Sequence, residues 1–209
     1  MANPAYIDED GVLLDGEAWV FLHANYFSSD DTSAVFTDPA DASSKDWSQF
    51  MDLVMICSIR DDRNSTSDSA SIWLGPRGGA TDTASSKYAM QRMYGYSGGV
   101  NTNNSQYHGY GLIEMTCHAN NAPANRFGTS IVYFYDINSG KHKAAMGFVA
   151  AEGWSTGGNS IDRGWVHIQT ARWKDQRAIG KIDIRPAYGT NFKAGTRYDL
   201  YGILPRMVS

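Results

Sequence analysis

Apolar residues recur at every second position through most of this chain, which is the period of a β-strand. The strongest stretch is "QFMDLVMICSIRD" (49–61), where Met51, Leu53, Met55, Cys57 and Ile59 share one face. Its opposite face carries Phe50, Val54 and Ile56 and is largely apolar as well. Such a strand is expected to lie centrally and to be covered on both sides, by another sheet or by a partner. Shorter or more clearly alternating stretches follow the same rule: 17–24, 33–37, 71–75, 87–96, 109–118, 129–137, 142–151, 164–173, 178–185 and 196–203. Turn-rich segments separate them, among them "PRGG", "SGGVNTNN", "NNAPAN", "NSGK" and "STGGN". Asn138-Ser139-Gly140, between two good strands, reads as a tight hairpin. No stretch has a helical period with caps at both ends, and "DPADASSKDWSQF" (38–50) supports one helical turn at most.

Some ten strands at spacings of about 10–20 residues predict an all-β fold, a sandwich or a barrel. Within that class a jelly-roll-like β-sandwich of two antiparallel sheets, each of four strands, suits eight main strands. Residues 1–45 are less regular and more acidic and are expected to form an N-terminal arm or an extra edge hairpin, with the sandwich in 46–209.

Composition narrows the function. At 209 residues the chain can bury about 70% of its unfolded surface without a covalent staple. A formal charge of −4 gives no electrostatic case for nucleic acid. No apolar run approaches the ~20 residues of a membrane span. The start, "MANPAYIDEDG", lacks a signal peptide's basic and apolar regions, so folding in a cytoplasm is expected. Cys57 and Cys117 lie within apolar stretches and read as buried thiols; a reducing compartment argues against a disulfide between them.

Candidate chemistry is sparse. Cys117 and His118 are adjacent on a strand and so face opposite ways, which is wrong for chelating one metal. His167 alternates with Val166 and Ile168 and reads as a surface or sheet-face histidine. "RDDRNSTSD" (60–68) lacks the glycine and glutamate of a calcium loop and reads as a solvated acidic loop. Glu114 sits among apolar neighbours and is expected to have a polar partner or to be exposed. There is no G-x-S-x-G elbow and no phosphate loop, so an enzyme, a metal and a cofactor are not expected. Trp154, Trp165, Trp173 and several tyrosines could supply stacking platforms for a sugar. The segment "YGYSGGVNTNNSQYHGYG" (94–111) is the best ligand loop, with Tyr94, Tyr96, Tyr107, His108 and Tyr110 as candidate glycan or partner contacts.

The last stretch, "KIDIRPAYGTNFKAGTRYDLYGI", resembles the C-terminal signature of tailed-bacteriophage virion structural proteins of the jelly-roll type. Ile182 and Ile184 match the first strand of that hairpin, Asn191, Phe192, Gly195 and Thr196 its turn, and Leu200 to Ile203 its close. Upstream, "AVFTD…FMDLVMICSIRDDR", "KYAMQRMYGYSGG" and "RFGTSIVYFYDINSGKHKAAMGF" are similar to further segments of the same family, in the same order. The resemblance covers most of 33–203; the tail "LPRMVS", the charged stretch 163–176 and the first 30 or so residues depart from it. It implies a virion protein assembled in the host cytoplasm, a homotrimer whose partners are the major capsid protein or tail proteins. A capsid decoration or cement protein is the leading expectation. The alternative is a tail or fibre-associated host-recognition module that binds a surface glycan.

Overall fold

The computed structural model describes residues 19–39, 46–96, 99–105, 109, 111–152 and 164–204. Twelve strands form two antiparallel sheets. In chain order they are β1 (Trp19–Tyr26), β2 (Ala34–Thr37), β3 (Asp52–Ile59), β4 (Ser67–Pro76), β5 (Tyr88–Tyr96), β6 (Gly99–Ser105), β7 (Glu114–His118), β8 (Gly128–Tyr135), β9 (Lys143–Ala151), β10 (Trp165–Trp173), β11 (Ile179–Pro186) and β12 (Arg197–Ile203). The large sheet runs β1-β12-β3-β8-β9-β10-β5-β6, and the small sheet β2-β11-β4-β7. Every connection except β5–β6, β8–β9 and β9–β10 crosses from one sheet to the other, which is the winding of a jelly roll.

The expected all-β sandwich is therefore present, with its strands divided eight and four rather than four and four. The inequality comes from meanders that stay in one layer. β8, β9 and β10 pair consecutively, and β5 pairs with β6, so strands that a minimal jelly roll would not need extend the large sheet alone. Of the segment 1–45, residues 19–39 are described; β1 pairs with β12 and β2 with β11, so each is an edge strand of a different sheet.

The core lies between the sheets. Leu53, Met55, Cys57 and Ile59 of β3 face Ile182 and Ile184 of β11 and Ala70, Ile72 and Leu74 of β4 within one buried cluster that also holds Phe134, Trp173 and Tyr198. Each fully buried Ile or Leu contributes about 1.5–3 kcal/mol relative to exposure. The inward face expected for β3 is thus correct from Leu53 onward, whereas Met51 lies before the strand and is exposed. Both cysteines are buried and free, and burial pushes both thiols up in pKa.

The C-terminal signature is a corner between sheets rather than a hairpin, because β11 belongs to the small sheet and β12 to the large one. Phe192 turns inward between them, stacked on Phe27 at 5.9 Å and edge-on to Tyr198 at 5.6 Å. Its backbone exchanges two hydrogen bonds with Asp31 (2.7 and 3.0 Å). Gly195 follows at φ +92°, and a Cβ there would come within 2.8 Å of the Phe127 ring, so both conformation and space require glycine. Arg60, at the end of the β3 segment, is buried, and among the described residues it has no carboxylate partner. Its guanidinium instead donates to the carbonyls of Pro123 (2.6 Å) and Ala122 (2.9 Å), tying the loop before β8 to the same corner. β12 is then held between β1 and β3 along its whole length.

Candidate functional site

Two regions stand out, and only one of them was expected. The unexpected one is the outer face of the large sheet. In most sandwiches the face turned away from the core is polar. Here its central strands carry apolar residues on that outer face too. On β10 the polar residues His167 and Gln169 point inward and are buried, while Val166 and Ile168 point outward. On β9 Lys143 is buried and Phe148 is exposed.

The strand register places Ile56, Ile131, Phe148, Ile168 and Met93 side by side across five neighbouring strands, β3 to β5. All five are between 37% and 50% exposed, and Val166 beside them is 61% exposed. A shallow groove of about 550 Å³ runs along this row, with Arg197 and Asp199 at one end. That end is neutralised internally, since the Arg197 Nε donates to both oxygens of Asp199 (2.9 and 2.8 Å). The outward positions of β8 and β9 carry no charged residue. Towards β1 the band continues into aromatics: Trp19 meets Tyr133 (6.2 Å) and Tyr201 (6.0 Å), and Phe21 meets Tyr201 (5.7 Å). Val54 also points outward in this area, is fully buried, and lies outside the main core cluster.

The expected region was the loop 94–111. Residues 99–105 form β6, an edge strand paired with β5, so the segment is a β-hairpin in its described part and not an irregular loop. "GVNTNNS" has no apolar period; it is a strand because β5 offers it a row of backbone partners. Tyr96 pairs through its backbone with Gly99 and Trp165. Tyr107, His108, Tyr110 and Trp154 lie outside the described residues. Tyr94 is the candidate that the structure describes fully, and it sits in a cluster rather than on a loop tip. It stacks on Trp165 (6.0 Å, 26°), meets the edge of His167 (5.4 Å) and carries the Arg92 guanidinium 4.9 Å above its ring.

This cluster lies where β5 and β10 reach past β7, the edge strand of the small sheet. Gln169 covers that edge. Its amide donates to the Glu114 carbonyl (2.5 Å), and its oxygen accepts from the Glu114 N–H (3.3 Å). Those two bonds fix which way the amide points, so its second N–H faces His167 Nδ1 at 3.4 Å. Nδ1 is then an acceptor, and the ring proton resides on Nε2, which has no hydrogen-bond partner among the described residues. Burial and the Arg92 charge lower the His167 pKa to about 4, so the ring is neutral near pH 7. His167 is thus a sheet-face histidine turned away from Val166 and Ile168 as expected, on the inner, buried face and not at the surface. Glu114 has the polar partners expected for it, Arg92 Nη1 at 2.7 Å and Ser69 Oγ at 2.9 Å.

The acidic stretch 60–68 also differs from its expectation. Asp61 and Asp68 are buried at the corner near Phe192 and hydrogen-bond to one another. Burial, then the neighbouring Asp68, raise the Asp61 pKa from 3.8 to about 9, so Asp61 holds the proton of the pair. Asp68 accepts from the Gly189 N–H (2.8 Å) and from Arg63 (3.1 Å), while Asp62 accepts from Thr190, Asn191 and the Asn191 side chain. These carboxylates pin the corner. Among the described residues no three or more His, Cys, Asp or Glu side chains are grouped to hold a metal ion. No helix among them is long and apolar enough to cross a membrane.

No protein-family model matches the chain, and no curated protein matches it.

Proposed function

We propose that this chain is a structural component of a tailed-phage virion, a capsid decoration or cement protein that stabilises the shell by burying surface. The observation that carries this reading is the uncharged apolar band across the outer face of the large sheet. Contiguous exposed apolar area of this extent marks an association surface. It also explains why β8, β9 and β10 carry apolar residues on the outer face as well as in the core. The ordered resemblance of 33–203 to virion proteins supports the same reading, and the clamped terminal strand β12 suits a part that must keep its shape under load. The test is copy number in purified particles, by quantitative mass spectrometry against the major shell protein. Hundreds of copies are expected; a few dozen or fewer would overturn the decoration role.

One observation favours a second reading, a host-recognition module that binds a glycan. Tyr94 and Trp165 make a stacked, half-buried aromatic pair with the Arg92 guanidinium over the Tyr94 ring. A sugar ring packs on aromatic surface of this kind. On that reading Trp165→Ala abolishes adsorption to cells while particles still assemble. Normal adsorption by that variant would remove the second reading.

A further inference from the structure

We propose that the apolar band on the large sheet is a two-fold contact between two copies of this chain. The proposal rests on reading that face as an association surface and names its occupant.

Three features of the band select a second copy. The first is its symmetry. Across the five strands the row reads Ile56, Ile131, Phe148, Ile168, Met93, so it is nearly the same in either direction from Phe148. A two-fold axis lying in the contact plane, parallel to the strands at Phe148, sets Phe148 against its counterpart. It brings Ile131 opposite Ile168 of the second copy and Ile56 opposite Met93 of the second copy. Apolar meets apolar at every position, with ring on ring at the axis, which is what an isologous contact requires of a single surface.

The second feature is charge. The middle of the band has no charged outward residue, and the Arg197–Asp199 pair at its end is satisfied within the chain. A charged partner surface would be desolvated there without compensation. An uncharged apolar face fits, and this chain supplies one. The third is area. The row with Val166 presents roughly 550 Å² of surface, so two copies would bury about 1,100 Å², above the ~1,000 Å² that a specific interface should clear. That lies towards the top of the ~300–600 Å² of the largest patch on a typical monomer. Two such sheets would pack about 10 Å apart with their strands nearly aligned, within the ~30° that aligned sandwich sheets keep.

The experiment is native mass spectrometry with analytical ultracentrifugation of the purified full chain at micromolar concentration. A dimer is expected. Phe148→Glu places a charge at the axis and should raise the dimer dissociation constant at least 30-fold, roughly the loss of one hot-spot residue. Its melting temperature and circular dichroism should stay close to wild type, because Phe148 is outside the core. Phe148→Cys should form an intermolecular disulfide under mild oxidation, with the buried Cys57 and Cys117 not competing. Val35→Glu, on an exposed position of the small sheet, should leave the dimer intact. A monomeric wild type, a dimer that survives Phe148→Glu, or the three-fold assembly implied by the resemblance would each overturn the proposal. A monomer found at high copy number in particles overturns this inference and leaves the proposed function standing. A dimer absent from particles does the reverse.

Discussion

The two sheets of this sandwich turn opposite kinds of surface to the outside. The small sheet turns polar side chains away from the core. On β11 Ile182 and Ile184 face the core, and Lys181, Asp183 and Arg185 alternate with them on the outside. Asp183 is almost covered there, held by Arg185 through two bonds (3.0 and 2.6 Å) and by the Thr81 hydroxyl at 3.2 Å. The large sheet keeps apolar residues on both faces of β3 and β8 and puts its buried polar groups, Lys143, His167 and Gln169, inside. Lys143 satisfies its ammonium with the carbonyls of Ser139, Lys141 and Gln176, and burial lowers its pKa. The difference is one of composition: polar side chains lie outside the small sheet, and apolar ones outside the large sheet.

The comparison can be broken most forcefully from the inside. Ile182→Ala, on the core side of β11, is expected to cost about 2–5 kcal/mol, measured by urea unfolding. A loss near zero would mean that the sheets do not depend on this shared core, and the distinction between inner and outer faces would lose its meaning.

A pH titration sharpens the comparison, because the band's central row has no titrating group. Stability should depend on pH through Asp61, whose folded pKa is raised. Its contribution is full below about 4, where both states bind the proton, and is lost as pH rises towards 9, by at most about 1.4 kcal/mol per unit. Asp61→Asn keeps a donor towards Asp68 and needs no proton, so it should melt higher than wild type at pH 8, with the gain shrinking at pH 5. The monomer–dimer equilibrium should stay flat across the same range. A dimer that dissociates steeply with pH would place a titrating group in the contact.

The smallest effects come from the two outer faces themselves. Arg185→Ala strips the partner from a covered carboxylate and should cost about 1 kcal/mol, because Arg185 itself is half exposed. Ile168→Ser should change monomer stability by no more than about 0.5 kcal/mol, since its side chain gains nothing from the core. It should nevertheless weaken association and reduce binding of an apolar dye to the isolated chain. Equal stability losses from both substitutions would erase the contrast between the faces.

Much of the fold was legible. Alternation located β3, β5, β8, β9, β10, β11 and β12 to within a residue or so at most ends, because a strand's period survives whatever it packs against. Phe192 and Gly195 read as a hairpin turn, and the corner they form was not legible, because β11 and β12 pair with strands of different sheets. β6 was not legible, as its backbone pairing does not depend on its side chains. The acidic stretch read as solvent-facing because the donors that hold Asp68 (Tyr188 and Gly189) and Asp62 (Thr190 and Asn191) lie more than a hundred positions away. Of the candidate contacts in 94–111, Tyr94 lies in a defined cluster, but its neighbours Trp165 and His167 come from β10 and share no local signal with it.

The sequence by itself determined that the chain is a two-layered β protein, with strands at known positions and an apolar set on one side of each. Period two says which residues share a face, and it is a local property of the backbone. It does not say which face is inside. On β9 and β10 both faces had a claim, and the choice was made by packing: the small sheet is four strands wide, and the large sheet, at eight, extends beyond it. Tertiary structure alone therefore turned Phe148 and Ile168 outward, aligned them with Ile131 and Ile56 from strands far apart in the chain, and made a surface out of residues that read as core.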